Sequence, residues 1–448
     1  MTEAFGELGQ VRCDLAEARV YEHGWQSWSP TTTYSPRDRP HRPSSEATRV
    51  LNYRPDRSAP EDQFQGEGLL AVQEAADGPV HLFAARPGAE TVPSIRARVE
   101  AGALEVSGTG EVRHLVDDGP GGLAGALGRW ADGYGAALGV HGLRPAPTIW
   151  CSWYHYFAAV TQQDMLENLD AIDRLGLPVD VVQLDDGYEA EIGDWLTLSG
   201  RFPSLRDLVA HIRQRGRRAG IWTAPFLVGE RSRLYAEHPD WVVGGASAGT
   251  NWGQHLFALD VTHPGAAEYL HQVFSTFSGF GIDFFKIDFV YAGALDGRRH
   301  EDLAPVEAYR RGLRLIRGAI GPDAYLLGCG APILPSVGLV DAMRVSPDTG
   351  PEYEPDLGDM SQPSVRAAVL SGTGRSWQHG RFWVNDPDCL LARPAVEGRQ
   401  EWAAHVERYG GLRGSSDRLA DLDGWGLETT RRLLATVPAP KPFALDSF

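Results

Sequence analysis

The chain has 448 residues, 42% of them apolar and 10% aromatic, with thirteen tryptophans; this excludes a disordered chain and leaves room for more than one domain. A formal net charge of −17 argues against a nucleic-acid or anionic-membrane surface and fits a neutral partner better than a polyanion. Cys13, Cys151, Cys329 and Cys389 lie far apart without a CxxC pair, so reduced thiols are expected rather than a zinc framework.

Met1-Thr2-Glu3-Ala4-Phe5 has neither a basic n-region nor an apolar h-region, so no signal peptide is expected. No run approaches the roughly twenty apolar residues of a membrane helix, and a cytoplasmic location is expected. Residues 1 to about 118 read as β structure. Leu69-Leu70-Ala71-Val72, Val80 to Ala84 and Ser94 to Val99 are short apolar runs separated by Gly, Pro and Asp. The stretch 29–67, rich in Pro, Arg, Ser and Thr, reads as a long surface loop. Gly119-Pro120-Gly121-Gly122 then leads into a helix over 123–138, and Pro145-Ala146-Pro147 closes a linker. A first domain over 1–145 follows from this.

From 148 onward the rhythm alternates strand and helix. Strands are predicted at 148–154, 179–185, 218–224, 283–289, 324–329, 342–346, 380–385 and, more weakly, 411–415. Amphipathic helices are predicted at 162–175, 204–215, 265–279, 304–319, 364–372, 397–408 and 426–436. Eight such units predict a (β/α)8 barrel over 146–438, an open doubly wound sheet being the alternative, with a tail at 439–448. The Pro-rich stretch after Thr436 reads as disordered.

A barrel of this kind builds its site at the C-terminal ends of its strands. Those ends carry Trp153-Tyr154-His155-Tyr156, Asp185-Asp186, Trp222, Lys286-Ile287-Asp288, Gly328-Cys329-Gly330, Arg344 to Asp348, and Asn385-Asp386-Pro387-Asp388. Lys286 and Asp288 share a strand face, as do Arg344 and Asp348. One such pair alone would read equally well as a structural ion pair. Two pairs among aromatics point instead to acid/base or nucleophilic work on an uncharged polar substrate. Sugars match that setting: their C–H faces stack on Trp and Tyr, and their hydroxyls take paired carboxylates, Lys and Arg. Asp185 and Asp186 suit two adjacent hydroxyls, although one of them reads equally well as a helix cap or turn residue.

Other patterns carry less. Gly119 to Ala124 matches GxGxxA without a following βαβ unit, and a flexible linker is the better reading. His155, His255, His263 and His379 lack metal-ligand spacing, so no metal is expected. Asp186, Asp288 and Asp348 on strands two, four and six fit a metal-dependent barrel by spacing, but Lys286 and Arg344 would repel the cation. Asp386 and Asp388, flanking Pro387, could be catalytic, but a structural turn at the barrel rim is the better reading.

The stretches Trp150 to Phe157, Gly193-Asp194-Trp195, Gly220 to Phe226, His238 to Trp241, Phe285 to Phe289, Leu327 to Gly330, Met343 to Thr349 and Asn385 to Asp388 together closely resemble the melibiase-type α-galactosidases of glycoside hydrolase family 36. The resemblance covers about 20–436. It implies a retaining exo-α-galactosidase without a cofactor, its (β/α)8 barrel preceded by an N-terminal β-sandwich. By motif position it implies Asp288 as nucleophile and Asp348 as acid/base. In those roles Asp348 needs the higher pKa, and the negative charge of Asp288 is the expected cause, with Arg344 opposing. The resemblance further implies Asp185, Asp186, Lys286, Arg344 and Cys329 as galactose contacts, with Trp153, Tyr154 and Trp222 shaping the pocket. Trp25-Gln26-Ser27-Trp28 resembles a family segment that reaches over the site, Trp28 being its contact. Against the family pattern the sandwich is expected to be shortened and the C-terminal β domain absent, which makes a homo-oligomer a reasonable partner state. A raffinose-synthase-like transglycosylase, an α-N-acetylgalactosaminidase and a non-catalytic galactoside-binding protein share the same site residues.

Overall fold

A computed structural model describes residues 4–444. Eight parallel strands form one sheet: Thr148–Cys151, Val181–Leu184, Arg218–Thr223, Ile282–Ile287, Tyr325–Gly328, Ala342–Arg344, Val384–Asp386 and Arg413–Ser415. In space the order runs from the seventh strand down to the first and then to the eighth. The gap between the seventh and eighth is bridged by the Gly411 and Leu412 amides, which donate to the Asn385 carbonyl at 3.0 and 2.9 Å. The result is a nearly closed barrel, not an open sheet.

The first six strands end earlier than predicted. Polar residues such as Asp185, Asp288 and Ser346 leave the ladder there and turn into the loops. The seventh strand starts late, at Val384. The helices between the strands lie within about two residues of their predicted bounds. Gln162–Leu175 is typical: Thr161 and Asp164 form a capping box at its start, and Gly176 takes the left-handed conformation at its end.

Two antiparallel sheets precede the barrel. Five strands pair in the order Thr32–Tyr34, Arg19–Glu22, Leu69–Gln73, Val80–Ala85 and Val112–Asp117. Four more pair in the order Gly6–Arg12, Ala103–Gly108, Ser94–Glu100 and Phe64–Glu67. Strand alternation assigns the two faces of the first sheet. Leu70, Val72 and Phe83 pack with Ile95, Leu104 and Val106 of the second sheet. Leu69, Ala71, Leu82 and Ala84 pack instead with Leu123, Leu127 and Ala131 of the helix Gly122–Ala137 and with the barrel core. Burial on both faces explains why Leu69 to Val72 is apolar without interruption. The Gly119 to Ala124 segment is the start of this packed helix, not a flexible linker.

One further expectation is corrected. The stretch 29–67 is not a surface loop: it contributes a strand to each sheet and the helix Glu46–Asn52, and it packs against the barrel mouth. Several of its polar residues bond internally, with Asn52 Nδ2 donating to the Ser361 carbonyl at 3.0 Å and Tyr53 Oη to Asp359 at 3.2 Å. The tail after Thr436 forms no helix or strand as far as it is described, but it touches the barrel. Phe443 stacks on His379 with ring centroids 3.9 Å apart, and 445–448 lie outside the described residues.

Candidate active site

A cavity of about 390 Å³ opens at the C-terminal ends of the barrel strands. Its wall includes Asp185 and Asp186 after the second strand, Trp222 on the third, Lys286 and Asp288 at the end of the fourth, and Asp348 after the sixth. Trp153 and Trp28 also line it. Eight of the eleven residues singled out in the sequence thus meet at one cavity. Arg344, Tyr154 and Cys329 are buried but are not among its lining residues.

Lys286 and Trp222 are direct neighbours in the parallel register of the third and fourth strands. The Lys286 ammonium lies 3.0 Å from Asp185 and 3.9 Å from Asp288. Burial works against its charge, but Asp185 and then Asp288 outweigh it and hold its pKa well above the ordinary lysine value. Asp288 also accepts hydrogen bonds from the Phe289 amide at 2.8 Å and from Trp222 Nε1 at 3.2 Å. Its carboxylate is therefore fixed in direction by three groups.

Asp185 is equally constrained. It accepts from Gln183 Nε2 at 2.7 Å and from the Asp186 amide at 3.1 Å. Neither Asp185 nor Asp186 caps a helix, since the next helix starts at Leu205 with Ser204 as its cap. Asp186 accepts from Trp252 Nε1 at 2.8 Å. Burial raises the Asp186 pKa, and it carries that of the neighbouring Glu189 well above the ordinary range.

Asp348 sits in a different network. Arg344 Nη1 donates to it at 2.9 Å, while the same guanidinium reaches Asp386 at 3.1 Å and Asp388 at 2.7 Å. Burial pushes the Asp348 carboxyl up, with Arg344 and Lys286 opposing. Desolvation is thus a larger cause than the charge of Asp288, which corrects the expectation from sequence. The Asp348 side chain nevertheless keeps 28% exposure, against 8% for Asp288, so it is the more accessible of the two from the cavity. Asp386 and Asp388 are not merely a turn. Asp388 holds the Thr349 amide at 2.9 Å and receives the Tyr154 hydroxyl, and burial pushes it up to about 7.

The segment 25–29 crosses the barrel mouth. The Ser27 amide donates to the Ala331 carbonyl at 3.1 Å, and Ala331 N–H returns a bond to Ser27 Oγ at 3.1 Å. Gly330, at φ +51, leaves room for the Trp28 ring where any Cβ would meet it at 2.7 Å. Arg375, fully buried, donates to the carbonyls of Gln26, Ser27, Ser29 and Val345 at 2.7–2.9 Å, tying this segment to the loop that carries Asp348. Sequence reasoning misses Arg375 because a single Arg at a helix C-terminus carries no pattern. It also misses the wall residues Leu51 and Asn52, from the helix Glu46–Asn52, and Trp252. Trp252 rides on a small antiparallel hairpin inserted after the third strand, and an Asn-Trp-Gly turn is its only signal.

The fold has counterparts among solved structures. The α-galactosidase from Thermus thermophilus, solved in complex with stachyose, is 30% identical, with a TM-score of 0.77 over 93% of this chain and 90% of that one. The chain belongs to the melibiase family, glycoside hydrolase family 36. The same Thermus enzyme in complex with p-nitrophenyl α-D-galactopyranoside superposes on this family member with a TM-score of 0.79 over 96% and 92% of the two chains, at 27% identity. The family profile described as Melibiase matches residues 141–298, the first half of the barrel. The Escherichia coli α-galactosidase is 29% identical over 140 residues, which span 28% of this chain and only 20% of that protein.

Proposed function

We propose that this melibiase-family protein is a retaining, exo-acting α-galactosidase that releases terminal α-D-galactosyl residues by double displacement. The observation that carries the reading is the meeting of Asp288 and Asp348 at one cavity with different surroundings: the first is enclosed and held by the Phe289 amide and the Trp222 indole, the second is more open to the cavity and shares Arg344 with Asp386 and Asp388. Asp288 attacks the anomeric carbon as the bond from that carbon to the leaving oxygen breaks. Asp348 gives its proton to that oxygen. The product of this step is a β-galactosyl ester on Asp288. Asp348, now ionised, takes a proton from water; the resulting oxygen attacks the same carbon and Asp288 departs, releasing α-galactose.

The remaining residues take supporting roles in this reading. Lys286, Asp185 and Asp186 bind sugar hydroxyls deep in the cavity, and Trp153, Trp222 and Trp28 enclose the ring. Arg344 and Tyr154, behind the wall, hold Asp348 and Asp388 in place. The Cys329 amide donates to the Ile287 carbonyl at 2.8 Å and so braces the backbone that carries Asp288. Charged groups buried at the depth of one cavity suit removal of terminal sugars. The four free thiols fit a reducing, cytoplasmic setting, and among the described residues no helix is long and apolar enough to cross a membrane.

Asp288→Ala tests the mechanism. The variant should lose turnover of aryl α-galactosides and regain it with azide, giving β-galactosyl azide by NMR. Hydrolysis at the wild-type rate by Asp288→Ala would sink the assignment, and galactose binding without turnover by the wild type would overturn the enzyme reading.

A further inference from the structure

Phe157 is out of place by every ordinary rule. It is a large apolar side chain left 46% exposed, and it lines the mouth of the cavity. Its backbone lies at φ 46° and ψ −149°, a region close to that reserved for glycine. Two further aromatics with positive φ, Trp252 and Phe289, line the same cavity, but both are packed into an aromatic cluster, their rings 4.9 Å apart. Phe157 touches Trp153 edge-on, at 5.2 Å and 78°, and otherwise faces outward.

The surroundings enforce this conformation. Arg201 donates to the carbonyls of Ala158 at 2.8 Å and Val160 at 3.2 Å, and also to Gly187 at 2.7 Å. On the other side, Arg393 holds the Tyr154 carbonyl at 3.0 Å and Ser416 Oγ accepts from the Tyr154 amide at 2.8 Å. Two arginines thus clamp the loop on either side of a strained residue whose ring gains little burial. Strain maintained in this way marks a functional position.

We propose that Phe157 is the platform of a leaving-group subsite, taking the apolar face of a neutral pyranose or aryl group. This rests on the galactosidase reading of the cavity. Of the charged wall residues, Asp185, Asp186, Lys286 and Asp288 are buried and Asp348 is partly exposed, so the galactosyl unit occupies the depth and the leaving group lies beyond Asp348 at the mouth. Apart from Asp348, the more exposed wall is uncharged: Phe157, Ala158, Leu51, Gln362 and Pro363. In the barrel order the loop carrying Phe157 lies three strands from both the Asp288 and the Asp348 loops, so it faces the two carboxylates across the mouth. An aromatic face there stacks on a ring and gives nothing to a methyl group.

The test compares substrates that share galactose and differ beyond it. In Phe157→Ala, kcat/KM for melibiose and for p-nitrophenyl α-galactoside should fall about tenfold, mainly through KM, while methyl α-galactoside changes less than about twofold and inhibition by galactose is unchanged. Phe157→Gly should show the same selectivity loss with a Tm at or above that of the wild type, because glycine relieves the backbone. An equal fall on all three substrates, or no change on any, would overturn the platform. Absence of wild-type turnover on all three would instead overturn the galactosidase reading beneath it.

Discussion

Asp288 and Asp348 are each written in the sequence as a carboxylate a few residues after a cation, yet the fold gives them opposite surroundings. Asp288 has the Phe289 amide at 2.8 Å, the Trp222 indole at 3.2 Å and Lys286 at 3.9 Å, all directed at one carboxylate. Asp348 has Arg344 at 2.9 Å, but that guanidinium is divided among Asp348, Asp386 and Asp388. A cation nearby in sequence therefore does not set the state of a carboxylate. What matters is how many acids compete for it, and which other donors the carboxylate has.

The largest effect separates the two roles. Asp288→Ala should lower kcat by about 10⁴-fold or more whatever the leaving group, because no bond to the sugar can form. Asp348→Ala should cost about 10²–10⁴-fold on methyl α-galactoside but far less on an aryl substrate whose leaving group needs no proton. Steady-state rates on the two substrates check this, and equal losses in both variants would break the comparison. Next in size, Trp222→Phe removes one hydrogen bond to Asp288 and should lower kcat for methyl α-galactoside about tenfold or somewhat more.

The pH profile tests the Asp348 side. In the proposed role of proton donor it must be protonated, so kcat/KM should fall as pH rises through its pKa, which burial raises. Arg344 opposes that rise, so Arg344→Lys, with a weaker and less directed cation, should move the alkaline limb to higher pH and lower Tm. The smallest effect is on stability. The Asp388 pKa is raised to about 7, above an unfolded value of about 3.9, so the folded state binds the extra proton and wild-type stability should decline as pH rises between these values. Asp388→Asn should flatten that decline in denaturant titrations across the window.

Much of this was legible in the chain. The alternation of strands and amphipathic helices points to the barrel because apolar periodicity is a local property. The acids at the strand ends could be collected at one rim for the same reason. The 29–67 segment could not be read: its burial depends on side-chain bonds such as Asn52 to Ser361, made between residues far apart in sequence. Nor could Asp386 and Asp388, whose partner Arg344 lies 42 positions before Asp386 and which therefore look like turn residues around Pro387. Phe157 stands inside a conspicuous motif, but its meaning lies in its backbone angles and exposure, which a motif does not show.

The most direct test of the division of labour is to trap the intermediate. A slow galactosyl fluoride should leave a covalent galactosyl adduct, located by peptide mass spectrometry. The account predicts the sugar on the peptide containing Asp288, at that residue. An adduct on Asp348, or turnover without any adduct on Asp288, would contradict it.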